Sequence, residues 1–110
     1  ISFALHEMAP QVRAAVWNSM QRAVRPGGNL LALDYAVPLR SGFFSRLASR
    51  FIEQDERGML NFHPEHYLNF TEFMRGGGLL AWAQQQSNNL AGDDRFFAGT
   101  VAVIRAGPRK

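Results

Sequence analysis

Four residues in two short stretches carry side chains that could do chemistry. They are His6 and Glu7 in Ala4-Leu5-His6-Glu7-Met8, and Asp34 and Tyr35 at the end of Leu30-Leu31-Ala32-Leu33-Asp34-Tyr35. An imidazole and a carboxylate side by side can shape a polar pocket or serve as base and acid. Their plainer roles are a histidine bonded to a backbone carbonyl and a glutamate capping the helix that opens at Pro10. No metal site is expected. His6-Glu7 begins like the zinc-protease pattern His-Glu-x-x-His, but Pro10 stands where the second histidine belongs. His63 and His66 can share a helix face, yet the spacing offers them no third ligand. Neither Gly-x-Ser-x-Gly nor Ser-x-x-Lys occurs, and Gly76-Gly77-Gly78 lacks the Lys and Ser or Thr of a phosphate loop. No catalytic residue is assigned.

The elements that must position these groups follow from turn chemistry and periodicity. Arg25-Pro26-Gly27-Gly28 is a tight turn: proline presets φ at the second position, and Gly27 takes the positive φ that a type II turn needs next. The apolar run after it, Asn29 to Asp34, suits a strand buried between two helical layers. Ile1 to Leu5 reads as a second strand, and Pro10 opens a helix whose apolar stripe is Val12, Ala15, Val16, Met20 and Ala23. Ala14, Asn18, Gln21 and Arg25 fall opposite. Strand, helix and strand at this spacing predict a right-handed crossover, so Leu5 and Asp34 end on one rim of a parallel pair.

Residues 38–62 form a long connection. Phe43, Leu47 and Phe51, with Phe44, Ala48 and Ile52, give it an amphipathic helix, while Arg46, Arg50, Glu53 and Gln54 face away. At the ligand edge of a sheet such a helical insertion is either a lid or a helix covering part of the sheet. Pro64 opens the next helix, buried through Tyr67, Phe70, Phe73 and Met74, and the three glycines end it. Leu79 to Gln86 resumes as a shorter helix. Ser87 to Asp94 is polar and weakly patterned. Arg95 to Ala98 and Gly99 to Ile104 predict an antiparallel hairpin, followed by a basic tail.

With 110 residues the chain holds one modest core, and 46% apolar against 19% charged residues excludes wholesale disorder. The absence of cysteine removes disulfides, thiolate metal sites and cysteine nucleophiles, and fits a cytoplasmic setting. No apolar run approaches the roughly 20 residues needed to span a bilayer. The net charge of +3 comes from arginines dispersed along the chain, a solvated surface rather than a nucleic-acid stripe. Opening inside a strand, the chain is expected to be part of something longer.

In this order the pieces resemble the second half of class I S-adenosylmethionine-dependent methyltransferases, near the ubiquinone/menaquinone-biosynthesis type (methyltransferase type 11/25 group). Ala4-Leu5-His6-Glu7-Met8 is similar to the end of that family's fourth strand. Met20 to Gly28 resembles its Arg-Val-Leu-Lys-Pro-Gly-Gly before strand five, Phe73 to Trp82 its late helix, and Phe97 to Val103 its closing hairpin. The resemblance implies a partial Rossmann-like α/β sheet with strands corresponding to 4, 5, 7 and 6, flanking helices and an antiparallel closing hairpin. Residues 1–110 would be the carboxyl-terminal portion of a single domain. The glycine-rich loop, the ribose-holding acid and the adenine loop have no counterpart in the chain. By resemblance Ala4, Leu5 and His6 line the methionine end of S-adenosylmethionine, and His6, Glu7 and Tyr35 face a small-molecule methyl acceptor. The polar run Gln84 to Asp94 departs from the family's apolar strand six. The implied activity belongs to the complete protein, with this portion alone inactive and a poor binder of the donor. The alternative is a non-catalytic α/β interaction module that pairs, for instance as a homodimer, through its exposed first strand.

Overall fold

The computed structural model describes residues 1–38, 42–86 and 90–108, without the side chains of 91–93. Small parts of the predicted insertion, polar run and basic tail (39–41, 87–89 and 109–110) lie outside the described residues. The elements in chain order are α1 (Pro10–Ala23), β1 (Leu30–Tyr35), α2 (Phe43–Arg57), α3 (Pro64–Arg75), α4 (Gly78–Gln86), β2 (Leu90–Phe96) and β3 (Val101–Ala106). Single 3-10 turns occupy Leu5–Glu7 and Gly58–Asn61. The fold is mixed α/β: the helices accompany a small open sheet, order β1-β3-β2, with both pairings antiparallel. Among the described residues no helix is long and apolar enough to cross a membrane.

The turn chemistry holds where a residue type leaves little choice. Pro10 and Pro64 each sit in the first turn of their helix. Gly27 takes φ 81°, and the Gly28 N–H donates to the Arg25 carbonyl at 2.9 Å, closing the turn into β1. The first residues run parallel to β1, as expected. Ser2 bridges Leu33, the Phe3 N–H donates to the Leu33 carbonyl at 2.8 Å, and the Leu33 N–H donates to the Ile1 carbonyl at 3.0 Å. This pairing is shorter than the expected strand Ile1 to Leu5. Phe3 turns to φ 50°, ending the extended run, and Leu5 already opens the 3-10 turn.

Other expectations need correction. β1 is covered on one face, not two. Leu30 and Ala32, with Ala102, Ile104 and Ala106 of β3, pack on Trp17, Phe73, Leu79 and Ala83. On the opposite face Leu31 is 56% exposed, and Leu33, Val101 and Val103 are only half-buried. α1 is rotated from its predicted stripe. It buries Arg13, Trp17 and Gln21, whereas Val12, Ala15 and Ala23 are exposed. The indole buries a large apolar area in one side chain, and the arginine beside it finds the Leu5 and Met8 carbonyls on the same side. In α2 only Ala48 and Ile52 of the apolar residues turn inward, joined by Glu56, and Phe43, Phe44, Leu47 and Phe51 are 56–74% exposed. The closing hairpin is present, but β2 begins at Leu90 rather than Arg95, with a register shift between Leu90 and Asp93. An edge strand accepts the polar residues of this stretch because only one of its sides pairs. Its turn places Phe97 and Ala98 at φ 51° and 56°, the backbone of a type I′ hairpin turn.

Gly78 couples helix to sheet. It bridges Ala36 just beyond β1 at φ 76°, where an added Cβ would lie 2.9 Å from Ala36 Cα and 3.0 Å from the Tyr35 carbonyl oxygen. Gly78→Ala is expected to cost about 2–4 kcal/mol, from left-handed strain plus a backbone clash. Gly76→Ala, whose nearest neighbours would be 3.7 Å away at φ −78°, is expected to be neutral or mildly stabilising. Urea unfolding of the two variants checks the contrast.

Candidate functional site

The rim predicted from sequence is formed. The 3-10 turn Leu5–Glu7 rests against the end of β1, so that His6 and Asp34 are both buried, 2% and 0% exposed. Asp34 organises the turn. One carboxylate oxygen, Oδ1, lies 2.7 Å from His6 Nδ1 and accepts the Tyr35 N–H at 2.8 Å, while Oδ2 accepts the His6 backbone N–H at 3.2 Å. An ionised carboxylate only accepts, so His6 Nδ1 carries the donated proton and Nε2 is the nitrogen left to do chemistry.

Around the imidazole stand four side chains from different parts of the chain. Glu56 Oε1, from α2, is 3.1 Å away, and Glu7 Oε1 is 3.8 Å away. The Tyr35 ring lies 4.8 Å from the imidazole, and Phe70 of α3 meets the imidazole edge-on at 5.9 Å. Neither His6 Nε2 nor Glu56 Oε2 makes a hydrogen bond among the described residues, although both are buried. The charges are tuned by this crowding. Burial alone would lower the His6 pKa, but the hydrogen bond to Asp34 and the negative charges of Asp34, Glu56 and Glu7 outweigh it and raise the imidazole above 6.5. Burial raises Glu56, with the His6 charge opposing. Burial, then the charge on Glu56, holds the Tyr35 phenol far above its ordinary range.

Arg13 carries the turn. Its guanidinium donates from Nε to the Leu5 carbonyl at 2.7 Å, from Nη2 to the Met8 carbonyl at 2.8 Å and from Nη1 to Glu72 Oε2 at 2.9 Å. It also stacks 4.7 Å over the Phe73 ring. Asn69 Nδ2 donates to the Glu7 carbonyl at 2.9 Å, so α3 grips the same turn from its other side.

Comparison of the chain with family models, curated proteins and solved structures finds no match. What the site can do therefore follows from its own geometry. Of the residues singled out in sequence, His6, Glu7 and Tyr35 converge with Asp34. Ala4 is half-buried beside them, and Leu5, 1% exposed, is part of the core beneath. His63 and His66 do come together, rings stacked at 4.8 Å with Glu65 alongside, His63 and Glu65 exposed and His66 half-buried. Sequence reasoning missed Glu56 and Arg13. Each was visible as the continuation of a four-residue row: Ala48, Ile52, Glu56 in α2, and Arg13, Trp17, Gln21 in α1. An Asp-held imidazole with a free Nε2, a second carboxylate and a half-exposed Glu7 can accept a proton from a bound hydroxyl or ligate a cation.

Proposed function

We propose that residues 1–110 form the carboxyl-terminal portion of a class I S-adenosylmethionine-dependent methyltransferase acting on a small-molecule acceptor. The observation that supports this most is the order in which segments lie. The first residues run parallel beside β1, then β3 antiparallel, then β2, the arrangement expected of strands 4, 5, 7 and 6 in a Rossmann-like sheet. The half-open apolar face at Leu31, Leu33, Val101 and Val103 adds to it, since a further helical layer would cover that face.

The residues present fit the methionine end of the donor. Ala4 is small and half-buried at the rim, directly before the turn that holds His6, while the family's motifs for the adenosine end have no counterpart in this sequence. Bound there, S-adenosylmethionine supplies an already activated methyl group, so the protein's share is alignment and management of the acceptor's proton. His6, Glu7 and Tyr35 face the acceptor. His6 Nε2, kept free by the Asp34 bond to Nδ1, takes the proton of an acceptor hydroxyl. In this reading α2 is the lid, closing the rim through Glu56.

S-adenosylhomocysteine titrated into the isotope-labelled chain tests the proposal by NMR. Weak binding is expected, with amide shifts confined to Ala4–Glu7 and Asp34–Tyr35. Shifts only elsewhere, or none at millimolar ligand, would overturn it, and tight stoichiometric binding would overturn the claim that this portion lacks most donor contacts. The rival interaction module is favoured by the exposure of Ile1 and Phe3, 37% and 41%. It expects no such shifts and a dimer by light scattering.

A further inference from the structure

We propose that His6, Glu7 and Glu56 form a binding site for a first-row divalent transition-metal ion, with Asp34 holding the imidazole from behind. The inference does not depend on the methyltransferase reading. It begins with the buried polar atoms that have no partner. If His6 and Glu56 were simply an ion pair, the imidazole N–H would point along the 3.1 Å line to Oε1 and be satisfied. Instead His6 Nε2 makes no hydrogen bond among the described residues, and neither does Glu56 Oε2. A buried Nε2 that makes no hydrogen bond while carboxylate oxygens stand 3.1 and 3.8 Å away is costly, and a cation on that nitrogen answers it.

The dimensions suit such an ion. One atom each from His6, Glu7 and Glu56 lie within 4.8 Å of one another. From Nε2 the two carboxylate oxygens are 3.1 and 3.8 Å away, on either side of the roughly 3.3–3.5 Å edge of a tetrahedron built from zinc-like bonds of about 2.0–2.2 Å. Asp34 Oδ1 at 2.7 Å from Nδ1 supplies the carboxylate–histidine pair that orients a metal-bound imidazole and raises its basicity. One imidazole with two carboxylates favours Mn²⁺, Fe²⁺, Co²⁺ or Zn²⁺ over the oxygen-only preferences of Mg²⁺ and Ca²⁺. Glu7, its side chain 38% exposed, gives the ion an entry path and leaves an open coordination position. The spacing of residues hides this site because Glu56 arrives from α2, fifty positions along the chain from His6.

The test is titration of the full chain with Co²⁺ at neutral pH, followed by its visible d–d absorption. One ion per chain is expected, with affinity rising as the pH rises and the imidazole gives up its proton. Glu56→Gln and Glu7→Gln should each weaken uptake at least about tenfold, and Asp34→Asn by about 10–100-fold. Glu7 lies at the margin of the core, so Glu7→Gln reports on the metal even if the buried variants fail to fold. His63→Ala is the control for the His63, Glu65 and His66 cluster and should leave uptake unchanged. No uptake at millimolar Co²⁺, uptake indifferent to Glu7→Gln, or uptake abolished by His63→Ala would each overturn the proposal.

Discussion

Arg13→Ala is expected to lower the unfolding free energy by about 3–5 kcal/mol, a large share of what a domain of this size possesses. The side chain is 0% exposed, and its guanidinium is the common partner of the Leu5 and Met8 carbonyls and of Glu72. Truncation removes the guanidinium from the Leu5 and Met8 carbonyls, opens a cavity against Phe73 and releases the turn that carries His6. Little of this loss belongs to the ion pair. Glu72 is 51% exposed, so Glu72→Ala should cost under about 1 kcal/mol. Arg13→Lys should recover little, since the three donors of an ammonium sit on one nitrogen and cannot span acceptors spread over Nε, Nη1 and Nη2. Urea unfolding followed through Trp17 and Trp82 measures all three variants, and a loss below about 1 kcal/mol for Arg13→Ala would show that the turn is held by something else.

Asp34→Ala ranks beside it, at about 3–5 kcal/mol, because it leaves His6 Nδ1 and the His6 and Tyr35 backbone N–H groups without their buried acceptor. Its signature is a change in pH dependence. His6 titrates above 6.5 in the folded chain, so the folded state binds this proton more tightly than the unfolded state does. The resulting stabilisation is complete below pH 6.5 and disappears as the pH rises through the folded value. The raised Glu56 acts in the same sense, its contribution falling as the pH climbs from 4.5 through its own folded value. The stability gap between the wild type and His6→Gln should therefore narrow from mildly acidic to alkaline solution. In Asp34→Asn the NMR titration of His6 should move to lower pH, as burial acts with less opposition. A gap of equal size at both ends of the range would remove the charged His6–Asp34 pair from the account.

The parts of this site legible in sequence were those fixed by local chemistry. Pro26 and Gly27 determine a turn that delivers β1, and the acidic residue closing the Leu-rich run does reach the rim next to His6. What was not legible depends on competition between faces. Hydrophobicity alone chose Val12, Ala15 and Val16 in α1, but burial followed the area of Trp17 and the satisfied donors of Arg13. In α2 the phenylalanines outnumber Ala48 and Ile52, yet it is the row of these smaller residues that turns inward and carries Glu56 to the imidazole. Polarity read as a reason for exposure missed both charged residues. Glu56 is buried against His6 from a distant part of the chain, and Arg13 by the carbonyls of the turn just before its own helix.

The sheet's connectivity has a consequence for how the molecule is made. Its middle strand, β3, is synthesised after every other described element, and the β1–β3 ladder joins residues as far apart as Leu30 and Ala106. Until that strand emerges, Leu30 and Ala32 have no neighbour in the ladder, and the helices have only part of a surface to fold onto. Such long-range closure makes acquisition of the native state a slow, late and nearly all-or-none event. Shortening the chain by even this single strand would remove the sheet's centre rather than its margin.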